Sequence, residues 1–294
     1  MDNISLKALA KINLGLDVLR RREDGYHEVS MIMQTINLYD TLEVKKTKDP
    51  EIRIQTNLNF LPVNENNLVY KAAALLKEEF NIKEGVEVKL HKSIPVAAGM
   101  AGGSTDCASM LFGMNRMFDL GLSREELMKR GATLGADVPY CIMRGTALAE
   151  GIGEVLTPLP AMVKCPVLIA KPGISVSTKW VYQSLKLDET TKHPDIKKQI
   201  EDIKRHDLQA ICDDMGNVLQ DVTIPSYPII GEIKAKMMEY GAVGSMMSGS
   251  GPTVFGLFES VGAAKKAKIA IKESGLAKAV YVTSIYNNRN GEVK

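Results

Sequence analysis

The chain contains few cysteines, no excess of charge of either sign and no long apolar run. Its four cysteines show no Cys-x-x-Cys spacing, which argues against a zinc framework or a disulfide scaffold. The 37 basic and 35 acidic residues leave a net charge of +2, so the basic surface typical of nucleic-acid-binding proteins is absent. No apolar stretch approaches the length that spans a bilayer, so no membrane partner is expected.

The first residues also lack the basic and then apolar segments of a secretion signal. We therefore expect a cytoplasmic protein with reduced thiols. Its 294 residues, 45% hydrophobic and 24% charged, suffice for two domains with packed cores. The proline-rich Thr157–Pro160 segment is the best linker candidate, which predicts domains at residues 1–160 and 161–294.

The hydrophobic pattern mixes helices and strands without strict alternation. The first half is rich in strands, and Asp24-Gly25 predicts a hairpin turn between residues 16–19 and 29–33. Helices are predicted over residues 67–80 and, after a Ser123 cap, 124–134. In the second half we expect helices near residues 196–203, 208–212, 229–240 and 263–274, and strands near 167–170, 242–247, 253–258 and 279–286. This pattern predicts an α+β fold in both halves.

The most informative segment is glycine-rich, Pro95–Asp106, between a strand-like segment and an apolar helical run. Its three glycines allow positive φ and close approach of a ligand. Three capping residue types follow, which predicts that a helix begins among Ser104, Thr105 and Asp106. Free N–H groups at a helix N-terminus form a phosphate site. The segment is neither a Walker A loop nor a dinucleotide fingerprint, and a plain strand-to-helix turn is the alternative.

A second glycine cluster, Ser248–Pro252, lies between two strand-like segments of the second half. Taken alone it favours a tight hairpin. Two glycine-rich loops, one in each half, also suit a ligand bound in a cleft between the domains.

Two charged residues stand in apolar surroundings, Lys11 within a strand-like segment and Asp137 before a Val-Pro pair. The simpler alternatives are a lysine that points to solvent and an aspartate that caps a turn. Beside a phosphate loop they would suit phosphoryl transfer. Asp137 would accept the proton of an acceptor hydroxyl, while Lys11 would favour the ionised carboxylate and stabilise the transferred charge.

Five motifs in order along the chain resemble those of the GHMP kinases. Pro95–Asp106 is similar to their second motif and Gly249–Pro252 to their third. Ala10–Leu14, Asp24–His27 and Leu134–Pro139 are similar to one branch, which phosphorylates a cytidine-diphosphate-linked methylerythritol in the non-mevalonate (MEP) isoprenoid pathway. The resemblance implies the two-domain GHMP fold, an active site in the interdomain cleft, and ATP- and Mg²⁺-dependent phosphorylation of the substrate's 2-hydroxyl.

The resemblance also implies roles for individual residues. Lys11 and Asp137 correspond to the catalytic pair, and Tyr26 and His27 to the pair that holds cytosine. Thr178 corresponds to a substrate contact, and we expect Asn13 to hold substrate as well, because it shares a strand face with Lys11. The residues implied for ATP are Pro95, Val96, Ala97, Ala98, Gly99, Met100, Ala101, Gly102, Gly103, Ser104 and Thr105. Mg²⁺ would be held mainly by ATP phosphates with Ser104 or Thr105.

Two other functions are compatible with this fold. One is a kinase for homoserine, mevalonate or a sugar. These substrates have no base that could stack on an aromatic ring, so the Asp24–His27 motif argues against this function. A catalytically silent sensor of nucleotides or metabolites would need neither Lys11 nor Asp137, and both are present.

Overall fold

Two β-sheets organise residues 1–288, the part of the chain that the computed structural model describes. The first sheet contains six strands, β1 (Asn3–Arg21), β2 (His27–Thr47), β3 (Ile52–Thr56), β4 (Gly85–His91), β5 (Thr146–Gly151) and β6 (Val155–Pro158). The second sheet has the order β10-β7-β9-β8 and contains β7 (Pro166–Lys171), β8 (Gly244–Met247), β9 (Val254–Leu257) and β10 (Ala279–Ser284).

Helices pack on both sheets, which confirms the α+β class. They are α1 (Leu68–Glu79), α2 (Gly102–Met117), α3 (Arg124–Leu134), α4 (Val138–Met143), α5 (Thr178–Ser184), α6 (Ile196–Arg205), α7 (Leu208–Asp213), α8 (Gln220–Ser226), α9 (Ile229–Glu239) and α10 (Val261–Glu273). Asn67 caps α1. Ser123 caps α3, as the sequence predicts, and forms a capping box with Glu126. Among residues 1–288, no helix combines the length and apolarity needed to cross a bilayer.

The predicted hairpin is the longest feature of the first sheet. β1 and β2 pair in antiparallel register, with Val18 opposite Val29, and Gly25 adopts φ +85° in the turn. β1 is one continuous strand in which every residue from 8 to 18 is buried, because helices cover one face and the second half of the chain covers the other. Its register shifts between Leu9 and Lys11, so a bulge lies beside the lysine.

Two sequence expectations about element boundaries are wrong. Thr157 and Pro158 belong to β6 and pair with β5, so the linker does not begin there. Pro158 is tolerated because β6 is an edge strand. Helix α2 begins at Gly102, before the predicted capping residues Ser104, Thr105 and Asp106. The domain boundary at residue 160 stays a prediction.

Hydrogen bonds and apolar contacts join the two halves of the chain. Leu16 of β1 exchanges backbone hydrogen bonds with Gly216 and Val218, and the Tyr286 amide donates to the Thr35 carbonyl. An apolar cluster also spans both sheets, with Ile12 and Leu14 from the first and Ile169 and Phe255 from the second. β1 is therefore held rigidly from both sides, and its polar side chains have fixed positions.

Candidate active site

One cavity of about 1080 Å³ gathers most of the residues that the sequence singles out. Residues of both glycine-rich segments line it, together with β1, the hairpin tip, the residues just before α4, and α5. The predicted site residues that line it are Lys11, Asn13, Tyr26, His27, Pro95, Val96, Ala97, Ala98, Gly99, Ala101, Gly102, Gly103, Ser104, Asp137 and Thr178. Met100 and Thr105, each 1% exposed, are buried and do not line it.

Lys11 is buried, which rules out a lysine that points to solvent. Lys11 is 5% exposed, and its Nζ donates a hydrogen bond of 2.7 Å to Oδ1 of Asn13. This contact confirms that the two side chains share a strand face. The Lys11 amide also bonds to the Met100 carbonyl at 3.2 Å, which ties β1 to the glycine-rich loop. Burial removes water from the ammonium and strengthens its interaction with a nearby anion.

Asp137 occupies the N-cap position of α4, but its side chain makes no capping hydrogen bond. Asp137 is half-buried and lines the cavity, and its carboxylate is not used to cap the helix. Lys11 and Asp137 form no salt bridge with each other in the described chain. Both charges act on the buried Cys141 thiol: burial raises its pKa, Asp137 raises it further, and Lys11 lowers it.

The hairpin tip contributes an aromatic ring and an imidazole to the cavity. Tyr26 is 62% exposed, whereas the His27 ring lies 5.2 Å from the ring of Tyr182 on α5, tilted by 39°. Burial, and then the charge of Arg21, lowers the pKa of His27, which favours the neutral imidazole.

Tyr182 is a cavity residue that the sequence does not indicate. It lines the cavity one helical turn after Thr178, and burial together with the charge of Asp137 raises the pKa of its hydroxyl to about 12. Tyr182 follows Thr178 by four residues, and residues at this spacing share a face of a helix. Because no local pattern strongly predicts that α5 is a helix, this spacing alone does not identify Tyr182.

The glycine-rich loop reaches helix α2 through three left-handed residues, Ala97 (φ +50°), Gly99 (φ +69°) and Ala101 (φ +55°). Of the three glycines, only Gly99 has positive φ, because Gly102 and Gly103 already belong to α2. A left-handed alanine costs about 1–2 kcal/mol. The surrounding structure must therefore hold Ala97 and Ala101 in place.

The second glycine cluster is both a tight hairpin and a neighbour of the first loop. It connects β8 to β9, and Oγ of Ser248 donates to the Gly99 carbonyl at 3.0 Å. A Cβ built on Gly99 would lie 2.2 Å from the Ser248 carbonyl oxygen, so only glycine fits there. Oγ of Ser250 and Oγ1 of Thr178 are hydrogen-bonded at 2.8 Å. The two loops thus meet at one cavity.

A buried ion cluster beneath the loop was also missed. Nζ of Lys92 contacts Oδ2 of Asp106 at 2.6 Å and also pairs with Asp40. Burial raises the pKa of Asp106 well above its usual range, an effect that Lys92 opposes and Asp40 reinforces. Asp106 was expected to cap α2; its carboxylate binds this lysine instead.

The donor set fits a Mg²⁺ ion held chiefly by phosphates. Within residues 1–288 no group of three His, Cys, Asp or Glu side chains could hold a metal by itself. Mg²⁺ commonly takes one or two protein oxygens and completes its shell with substrate phosphates and water. Ser104 presents such an oxygen at the cavity, whereas Thr105 is buried and does not line it.

Comparison with known proteins agrees with this geometry. The GHMP kinases N terminal domain matches residues 67–145, and the GHMP kinases C terminal domain matches residues 199–276. The chain is 56% identical to 4-diphosphocytidyl-2-C-methyl-D-erythritol kinase of Lachnospira eligens, over 97% of this chain and 99% of that one. It is 54% identical to the kinase of the same name from Lachnoclostridium phytofermentans, over 99% and 100%.

Solved structures give the same result. A crystal structure of 4-(cytidine 5'-diphospho)-2C-methyl-D-erythritol kinase superposes with a TM-score of 0.84 and 31% identity, covering 97% of this chain and all of that one. Homoserine kinase from Cytophaga hutchinsonii superposes with a TM-score of 0.80 at 20% identity, over 98% and 96%, a likeness of fold alone. The two-domain GHMP kinase fold is thereby confirmed, and the chain belongs to the 4-diphosphocytidyl-2-C-methyl-D-erythritol kinases of the GHMP kinase superfamily.

Proposed function

We propose that this enzyme transfers the γ-phosphoryl group of ATP to the 2-hydroxyl of 4-(cytidine 5'-diphospho)-2-C-methyl-D-erythritol, as part of the MEP route to isoprenoid precursors. The observation that carries this proposal is the convergence of Lys11, Asp137, His27 and the glycine-rich loop on one cavity, in a chain 56% identical to a kinase of that name. The cavity is assigned to the cleft between domains 1–160 and 161–294.

Asp137 is the proposed general base. Its carboxylate faces the cavity without a capping bond and can accept the proton of the 2-hydroxyl. The hydroxyl oxygen then forms a bond to the γ-phosphorus, the bond to the β-phosphate oxygen breaks, and ADP leaves. Lys11 stabilises the negative charge of the transferred group, since its ammonium is buried and oriented by Asn13.

The hairpin tip and α5 are the proposed cytosine site. A ring between Tyr26 and Tyr182 would stack on aromatic faces, while the neutral imidazole of His27 hydrogen-bonds the polar edge of the base. Thr178 and Asn13 line the same cavity as Asp137, which suits them to contacts with the diphosphate and the erythritol hydroxyls.

The glycine-rich loop is the proposed site for ATP phosphates. Gly102 and Gly103 are the first residues of α2, so their N–H groups have no partner inside the helix and lie at the positive end of its dipole. Mg²⁺ would neutralise charge on the β- and γ-phosphates, with Ser104 as a protein oxygen. The four cysteines are free and buried, which supports a cytoplasmic location.

An assay of ADP release tests the function directly. We expect turnover with the cytidine substrate and little with its uridine analogue, because replacing the amino donor of cytosine with a carbonyl leaves polar groups unpaired. Asp137→Asn is nearly isosteric, so it should lower kcat by roughly 10²–10⁴ while the melting temperature stays unchanged. Equal turnover of the cytidine substrate and its uridine analogue would contradict the cytosine site. A near-normal kcat in Asp137→Asn would contradict the role of Asp137 as general base.

A further inference from the structure

The ion cluster of Asp40, Lys92 and Asp106 is unusual because it is buried. Their side chains are 0%, 4% and 4% exposed. Such clusters are weak contributors to stability, since desolvation of the charges offsets much of their attraction and apolar replacements are often equally stable. Its place at the cavity therefore calls for a role other than stability.

The cluster connects the segment before the glycine-rich loop to the helix after it. Asp40 lies on β2, and its Oδ1 accepts hydrogen bonds from the amides of Ser93 and Ile94, which lead into the loop. Asp106 lies in the second turn of α2, which leaves the loop. Lys92 bonds both carboxylates, so one ammonium fixes the two ends of the loop relative to each other.

The backbone of Lys92 is fixed as well. Its amide donates to Oδ1 of Asn57 at 2.8 Å, and its carbonyl accepts from Nδ2 of Asn57 at 3.1 Å. Its Nζ lies 3.3 Å from the position that a Cβ on Gly102 would occupy, directly against the first residue of α2. The lysine is therefore held at both its backbone and its ammonium.

The loop between these ends adopts a conformation that its sequence disfavours. Ala97 and Ala101 are left-handed, a conformation that costs an alanine about 1–2 kcal/mol, so contacts with the surrounding structure must hold them. We propose that Lys92 is a positioning residue that, through Asp40 and Asp106, holds the loop in the shape that presents its N–H groups to ATP phosphates before ATP binds. The ATP part of this inference rests on the proposed function.

The first experiment measures the loop without catalysis. Hydrogen exchange of the segment 93–106 in the free protein is compared between wild type, Lys92→Met and Lys89→Met, an exposed lysine on the neighbouring strand. We expect the Thr105 amide, which bonds to the Ala101 carbonyl, to exchange about tenfold or more faster in Lys92→Met. Unchanged exchange in folded Lys92→Met would overturn the inference, whether or not the enzyme phosphorylates the proposed substrate.

The second experiment separates positioning from packing. Asp106→Asn keeps an acceptor for Lys92, whereas Asp106→Leu keeps a similar volume without one. We expect KM for ATP to stay within about threefold in Asp106→Asn and to rise about tenfold or more in Asp106→Leu, with KM for the cytidine substrate little changed in both. If the cluster acts only through packing, KM for ATP should rise more in Asp106→Asn than in Asp106→Leu. That order would refute the proposal. If Lys92→Met does not fold, this pair decides.

Discussion

The contact between the two glycine-rich loops makes a sharp prediction for Gly99→Ala. Alanine at φ +69° costs about 1–2 kcal/mol. Its Cβ would lie 2.2 Å from the Ser248 carbonyl oxygen, a backbone atom that cannot rotate away. Overpacking of this kind adds about 1–3 kcal/mol. The free energy of unfolding should therefore fall by roughly 2–5 kcal/mol and the melting temperature by roughly 5–15 °C.

Gly103→Ala is the matched control. Gly103 is helical, and a Cβ there would contact only Leu68 Cδ1, at an ordinary 3.6 Å. Alanine in a helix is more stable than glycine by about 0.5–1 kcal/mol, so the melting temperature should stay or rise slightly. Because Gly103 lines the cavity, its methyl group would still crowd bound phosphates. We expect both variants to raise KM for ATP, but only Gly99→Ala to lose stability.

Calorimetric unfolding and steady-state kinetics on the two variants check this reasoning. A melting temperature for Gly99→Ala within about 1 °C of wild type would show that the loops adapt to a Cβ at no cost. An unchanged KM for ATP in Gly103→Ala would show that no phosphate approaches the start of α2. The two results are independent, so each part of the argument can fail alone.

Three other predictions concern the remaining cavity residues. Lys11→Met should lower kcat more than it raises KM for ATP; an effect on KM alone would assign Lys11 to ground-state binding. His27→Ala should raise KM for the cytidine substrate tenfold to hundredfold, or about 1–3 kcal/mol, and leave KM for ATP unchanged. Burial lowers the pKa of His27, so the neutral ring contributes to the stability of the fold above the ordinary pKa of 6.5. This contribution is lost as pH falls through the depressed pKa, where the ring becomes protonated. KM for the cytidine substrate should rise over that acidic range, and a His27→Gln variant should show no such rise.

The sequence predicted those features that local chemistry determines. The Ser123 cap of α3 and the Asp24-Gly25 turn involve residues within a few positions of each other, and both are present. The position of Lys11 depended on more than its own strand. A period-two pattern allows a solvent-facing lysine, and only coverage of both faces of β1 buries it.

The ion cluster beneath the loop shows why other features could not be predicted. Asp40 and Lys92 are 52 residues apart, and each alone resembles an ordinary surface charge. Asp106 was expected to cap α2 because Asp is a capping residue type. Tertiary pairing with Lys92 overrides that preference, and the left-handed Ala101 occupies the N-cap position instead. Contacts between residues so far apart in the chain produce no periodic pattern in the sequence, so the sequence alone does not predict them.

The turn between β8 and β9 connects the two ends of the cavity. Ser248 bonds to Gly99, on the proposed ATP side, and Ser250 bonds to Thr178, on the proposed cytidine side. A displacement of this short turn must therefore act on both sites together, whereas a change at the hairpin tip acts on one. For this reason Gly99→Ala should raise KM for both substrates, and His27→Ala should raise only that of the cytidine substrate.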